Sequence, residues 1–145
     1  MIQVKVIILL IGLISNIGLA QGTKESNEKE RVKQTIGIYF EGLKKCDAEI
    51  INRVVYSKAK WFSVVDGKVQ EVTQEQKTKA VKTNPSQRYA KVEGRILEID
   101  ISGKNAFVKA EIDMAYGIVT EYLLLSSISG EWKIISGTAS AKPKE

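Results

Sequence analysis

Residues 104–139 read KNAFVKAEIDMAYGIVTEYLLLSSISGEWKIISGTA, and the alternation in this stretch decides the fold. Ala106, Val108, Ala110, Ile112 and Met114 fall on one side of an extended chain, while Lys109, Glu111 and Asp113 fall on the other. A period of two with one apolar side is the pattern of a strand resting on a core. Tyr116-Gly117 turns the chain into a second strand over Ile118–Ile128, and Ser129-Gly130 turns it again into Glu131–Ala139. Working outward, Gln87–Ile101 places Val92, Ile96, Ile99 and Ile101 among charged residues, and Gly94 with the pair Ile96-Leu97 predicts a bulge or bend. Ser102-Gly103-Lys104-Asn105 is the turn between these strands. Further upstream, Trp61, Phe62, Val64 and Val65 precede Asp66-Gly67, with Val69 and Val72 after it, so Lys60–Thr73 reads as a β-hairpin.

Ahead of the hairpin the period changes. Val32, Ile36, Tyr39, Phe40 and Leu43 make one apolar stripe at helical spacing, predicting a helix to about Lys45. Asp47 is a good N-cap for a second, shorter helix carrying Ile50, Ile51 and Val54. Thr73–Lys82 has thin apolar content but suits a short helix, closed by Asn84-Pro85-Ser86. Helices first and strands afterwards imply an α+β fold, a curved antiparallel sheet wrapped around the N-terminal helices. Such a sheet forms a cone with an open mouth, where small ligands bind. The expected organisation is a polar lead-in over 21–30, one cone domain over 31–139 and a flexible tail over 140–145.

Composition bounds the chemistry. The chain has 145 residues and 16.1 kDa, 43% hydrophobic and 27% charged, which suits one globular domain and is too apolar for a disordered chain. It contains no histidine, so His-based triads, Cys-His dyads and imidazole metal ligands are excluded. Its single cysteine, Cys46, excludes an internal disulfide framework and a thiolate zinc site, and is read as inert packing. No metal or cofactor is expected. The net charge of +5 comes mainly from lysines scattered among acids, with only Arg31, Arg53, Arg88 and Arg95 as arginines. That is a solvated surface and not a nucleic-acid footprint, which favours clustered arginine.

The first twenty residues, MIQVKVIILLIGLISNIGLA, have the layout of a cleaved secretory signal. Lys5 supplies the positive start, an apolar run follows, and Gly18 and Ala20 put small residues before a cleavage point after Ala20. At roughly 14 apolar-biased residues the run is short of the ~20 that span a bilayer. The expectation is an exported protein, periplasmic or secreted, with no membrane attachment after cleavage.

Two stretches carry a family resemblance. Gly37-Ile38-Tyr39-Phe40-Glu41-Gly42-Leu43-Lys44-Lys45-Cys46-Asp47, with Ala59-Lys60-Trp61 downstream, resembles the nuclear-transport-factor-two-like (SnoaL-like) superfamily. Thr120–Ile135, with its acidic residue and aromatic, its leucine run and its Gly130-Glu131-Trp132-Lys133-Ile134-Ile135 hairpin, resembles that superfamily's exported lumazine-binding branch. The resemblance covers roughly residues 28–139 and implies the cystatin-like cone fold. It does not imply one activity, because this fold hosts isomerases, dehydratases and non-catalytic binders.

The resemblance also implies where chemistry would sit. Tyr39, eight residues before Asp47, matches the oxyanion-hole tyrosine of the isomerase-like members, but the position of their base carboxylate, four after Ala59, is Ser63. A serine without an adjacent base does not abstract a carbon-bound proton near neutral pH. The dehydratases depend on histidine, which is absent. Asp113 and Glu121 are the substitute acids, expected near one another across the Tyr116-Gly117 turn, although alternation puts Asp113 on the face of Lys109 and Glu111. For ligand binding the candidates are Tyr39, Trp61, Tyr89, Tyr122 and Trp132, aromatics that combine apolar area with a polar tip. Leu123-Leu124-Leu125 makes both faces of one strand apolar, which points to a homodimer through the sheet. The expected function is binding of a small apolar or aromatic molecule in the cone without catalysis. The alternatives are an isomerase- or dehydratase-like enzyme and a protein-interaction module.

Overall fold

The structure, a computed structural model, describes residues 3–83 and 92–143, with side chains from residue 22 onward. The chain runs α1 (Gln3–Lys45), α2 (Ala48–Val54), β1 (Val55–Val65), β2 (Lys68–Thr73), α3 (Gln74–Thr83), β3 (Glu93–Ser102), β4 (Asn105–Met114), β5 (Gly117–Ile128) and β6 (Glu131–Pro143). The six strands form one curved sheet in the order β2-β1-β6-β5-β4-β3. Its pairs are antiparallel except β1 with β6, which run parallel, so the expected antiparallel sheet is in fact mixed. The return of β6 to the centre of the sheet causes this, since the hairpin β1-β2 must then join an edge already set by β6.

Parity along β4 and β5 fixes which side meets the helices. Ala106, Val108, Ala110, Ile112 and Met114 are buried on the inner face, with Val119, Glu121, Leu123 and Leu125 opposite them on β5. In β6 a register shift at Leu124/Leu125 inserts one extra residue, so Ile134 and Gly137 both face inward although their parity differs. The bulge expected near Ile96-Leu97 is present as a register shift between Ile96 and Glu98. Against this face lies the α1 stripe of Val32, Ile36, Tyr39 and Leu43, all fully buried or nearly so. Full burial of each such aliphatic side chain contributes about 1.5–3 kcal/mol.

Two boundaries differ from expectation. Residues 22–30, read as a lead-in, are helical within α1. Lysine and glutamate are good helix formers, and the pairs Glu28–Arg31 at 2.9 Å and Glu30–Lys33 at 3.4 Å lie one turn apart. Glu28 also receives the Trp132 indole N–H at 2.8 Å, which ties this turn to the sheet. At the other end β6 continues to Pro143, pairing Gly117 with Pro143 and Ile118 with Lys142, so 140–143 are strand and not tail.

The corner between α1 and α2 is a capping unit. Cys46, at φ 53°, lets its own N–H reach Leu43 O at 3.1 Å and the Asp47 N–H reach Gly42 O at 2.9 Å, the Schellman pattern that satisfies the last carbonyls of a helix. Asp47 then accepts from the N–H groups of Glu49 and Ile50, as an N-cap does. A methyl on Gly42 would stand 2.6 Å from Ile51 Cγ1, so this glycine lets the two helices touch.

Candidate functional site

Tyr39 on α1, Trp61 on β1, Lys77 on α3 and Glu121 on β5 converge under the sheet. Each arrives by a local rule. Tyr39 is one turn beyond Ile36 on the inner stripe, Trp61 shares strand parity with Ala59, and Glu121 stands between Val119 and Leu123 on the inner side of β5. Lys77 belongs to the α3 face that also carries Gln74, Thr78 and Val81, all buried.

The Tyr39 and Trp61 rings stack at 6.0 Å between centroids and 12° between planes. The Tyr39 hydroxyl donates to Glu121, at 3.0 Å from Oε2 and 3.2 Å from Oε1. The Lys77 ammonium donates to Tyr39 Oη at 2.7 Å and to Glu121 Oε1 at 3.3 Å. It also stands 3.1 Å from the centre of the Trp61 ring and 5.3 Å from that of Tyr39, within range of a cation–π attraction. The ion-paired side chains are only 19% exposed for Lys77 and 6% for Glu121. Burial pulls the Lys77 ammonium below the ordinary lysine range, and Glu121 opposes that pull.

The Trp61 ring is fixed from behind. Its indole N–H donates to Gln74 Oε1 at 2.9 Å, and Gln74 Nε2 donates to Asn52 Oδ1 at 3.0 Å. Gly137 lies under the ring, where an added methyl would meet Trp61 Cζ3 at 2.6 Å. Among the described residues no buried side-chain polar atom lacks a hydrogen-bond partner, so the cluster is satisfied as it stands. The space the cone was expected to leave open beside Tyr39 is therefore occupied by the Lys77 side chain.

The remaining sequence candidates are dispersed. Asp113 and Glu121 are not neighbours: the turn consists of Ala115-Tyr116, so Asp113 pairs with Ile118 and Glu121 with Ala110. Asp113 is exposed on the outer face, beside a shallow cleft shared with Glu93, Arg95 and Glu111. Tyr122 is also on the outer face, stacked on Phe107 at 5.9 Å with the Lys109 ammonium 5.6 Å from its ring centre. Trp132 is buried but held by Glu28, eleven residues before Tyr39 and so about 16 Å away along the helix axis. It lines an open cleft of about 610 Å³ with Lys24, Glu28, Arg31, Ile101 and Lys104. The Trp132 N–H, and after it the Arg31 guanidinium, hold the Glu28 carboxyl below the usual carboxylate range. Ser63 is on β1 opposite Gln70, two residues beyond Trp61. Tyr89 lies outside the described residues.

Sequence reasoning missed Lys77, Gln74 and Asn52. The available signal was spacing: Gln74, Lys77, Thr78 and Val81 stand at i, i+3, i+4 and i+7, an inward stripe written largely in polar residues.

Residues 27–138 match the family described as "Putative lumazine-binding". The chain belongs to that family. Its architecture agrees with solved NTF2-like proteins of unknown function. One from Shewanella baltica OS155 has a TM-score of 0.74 at 23% identity, covering 82% of this chain and 97% of that one. One from Silicibacter pomeroyi DSS-3 has 0.72 at 15% identity, with 81% and 98% covered. A third, from Methylobacillus flagellatus KT, has 0.71 at 18% identity, with 80% and 93% covered. No curated protein matches the chain. At these identities the solved structures establish the fold of this lumazine-binding-family chain, and its site must be argued from its own residues.

Proposed function

We propose that this chain is an exported, non-catalytic binder of a small, partly aromatic molecule, seated in the cone against Trp61 and Tyr39. The observation that carries the reading is the Lys77 ammonium 3.1 Å from the centre of the Trp61 ring. A long, flexible, partly exposed side chain covers a flat aromatic face whose own position is fixed by Gln74 and Asn52. Withdrawal of Lys77 uncovers a ready platform for a planar ring, with Tyr39 and Glu121 at its edge to orient polar atoms. The family's lumazine-binding description is in keeping with a heterocycle of that shape. The signal layout of residues 1–20 supports export.

A catalytic reading draws on the contact between Tyr39 and Glu121, a hydroxyl and a carboxylate in one buried place. It is the weaker reading, because the Lys77 ammonium already engages both groups and Ser63 replaces the expected base. Thermal melting against pterins including lumazine, flavins and steroids tests the binding proposal. At least one class should raise Tm in the wild type and fail to do so in Trp61→Ala. If none does, and 2-phenylethylammonium does not either, the cone is not a ligand site.

A further inference from the structure

The present occupant of the cone site indicates what the site accepts. An ammonium rests over an indole face, bonded to a phenol oxygen at 2.7 Å and backed by a carboxylate at 3.3 Å. Aromatic faces closed by an acid are how proteins hold organic ammonium groups. The walls of this box come from three elements, α1, β1 and β5, while the ammonium arrives from a fourth, α3. The walls keep their places when the Lys77 side chain alone swings away: Tyr39 is fully buried, and Trp61 stays tied to Gln74, one turn before Lys77 on α3.

Charge then decides the ligand. Lys77 is the cation paired with Glu121, which is itself more than nine-tenths buried. A neutral molecule that displaced Lys77 would leave this carboxylate with no counter-charge in a low-dielectric site. A molecule carrying its own ammonium would restore both the ion pair and the contact with the ring. We infer that the cone site takes an organic cation, a primary or substituted ammonium on a compact carbon body, which replaces the Lys77 ammonium over Trp61. The inference rests on the cone-binding reading above and adds the ligand's charge to it.

Lys77→Ala removes the side chain from Cγ to Nζ, which leaves room for one n-propylammonium ion. Thermal melts should show the variant less stable than wild type, with a saturable recovery in n-propylammonium chloride. Recovery should be absent in 1-propanol, in KCl at equal ionic strength, and in Lys77→Ala/Glu121→Gln with the amine. A second measurement covers the case where Lys77→Ala does not fold. In the wild type, 2-phenylethylammonium should bind about tenfold more tightly than neutral 2-phenylethanol by tryptophan fluorescence, a difference lost in Glu121→Gln. Equal effects of the neutral and charged probes overturn the cation inference and leave the cone site standing. Amine recovery that persists without Glu121 also overturns it. A protein answering to neither probe, nor to any molecule of the wider panel, loses the cone reading itself.

Discussion

Glu121 is a carboxylate set among Val119, Leu123 and Leu125 on the inner face of β5, and Lys77 and Tyr39 are what make it tolerable there. Removing one partner of a buried pair leaves an uncompensated charge, at a cost of about 3–5 kcal/mol. Glu121→Leu alone should therefore destabilise the protein by about 3 kcal/mol in urea melts, and Lys77→Met/Glu121→Leu should recover most of that loss. Additive losses would mean that the two groups do not meet. The lowered pKa of Lys77 adds a pH signature. Between its folded value and the ordinary 10.5, the unfolded chain binds more protons than the folded one, so stability from this group rises with pH across that window. The stability of wild type relative to Lys77→Met should accordingly improve as pH rises toward 10.5, with Glu121 and Tyr39 as the polar neighbours in both proteins. A flat difference would show that Lys77 is not desolvated. At this scale the sequence showed Tyr39, Trp61 and Glu121 but not Lys77. Tyr39 and Trp61 follow from stripe and hairpin parity, whereas a lysine in a helix of thin apolar content reads as a solvated charge.

Caps and turns carry the argument at the scale of elements. Cys46 ends α1 in the left-handed region, which strains a residue with a Cβ by about 1–2 kcal/mol and a glycine hardly at all. After the extra chain entropy of glycine is offset, Cys46→Gly should stabilise the protein by about 0.5–1 kcal/mol in denaturant melts. A loss would mean that the partly buried thiol packs for more than the cap conformation costs. The stretch of α1 that carries Glu28 makes a second prediction. Glu28 is held below the ordinary carboxyl value of 4.5 by Trp132 and Arg31, so its contribution is present above that pH and lost as pH falls through the folded value. Trp132→Phe should flatten this acid limb when melts are compared from pH 6 down to 3. The pattern of Lys and Glu over 23–30 was legible as polar but not as helical, because the contact that orders it comes from Trp132, about a hundred residues later.

The strand order places β5 and β6 at the centre of the whole molecule, with β2 and β3 at the edges. The inner face is filled by α1, while the outer face presents Phe107, Tyr122 and Leu124, the last 49% exposed. An exposed apolar patch on this face suits a second copy of the chain, the reading that the leucine triplet also suggests. If that dimer forms, Leu124→Lys should halve the mass seen by light scattering while changing the stability of the monomer by no more than about 0.5 kcal/mol in urea melts. Unchanged mass would remove the sheet-face dimer.

What the sequence by itself determined is local. The period of two in β4 and β5, the period of 3.6 in α1, the Asp47 cap and the Asp66-Gly67 turn depend on neighbours within a few residues, so they can be read along the chain. Even there, a turn misplaced by one residue moved Glu121 from the neighbourhood of Asp113 to a partner at Ala110. The tertiary structure alone decided that β1 joins β6 in parallel, and that Lys77 and Glu121, 44 positions apart, share one buried site. Spacing along α3 and alternation along β5 mark the inward faces that carry Lys77 and Glu121, but whether a charge on such a face is paired or left alone is settled by the groups that distant segments bring to it.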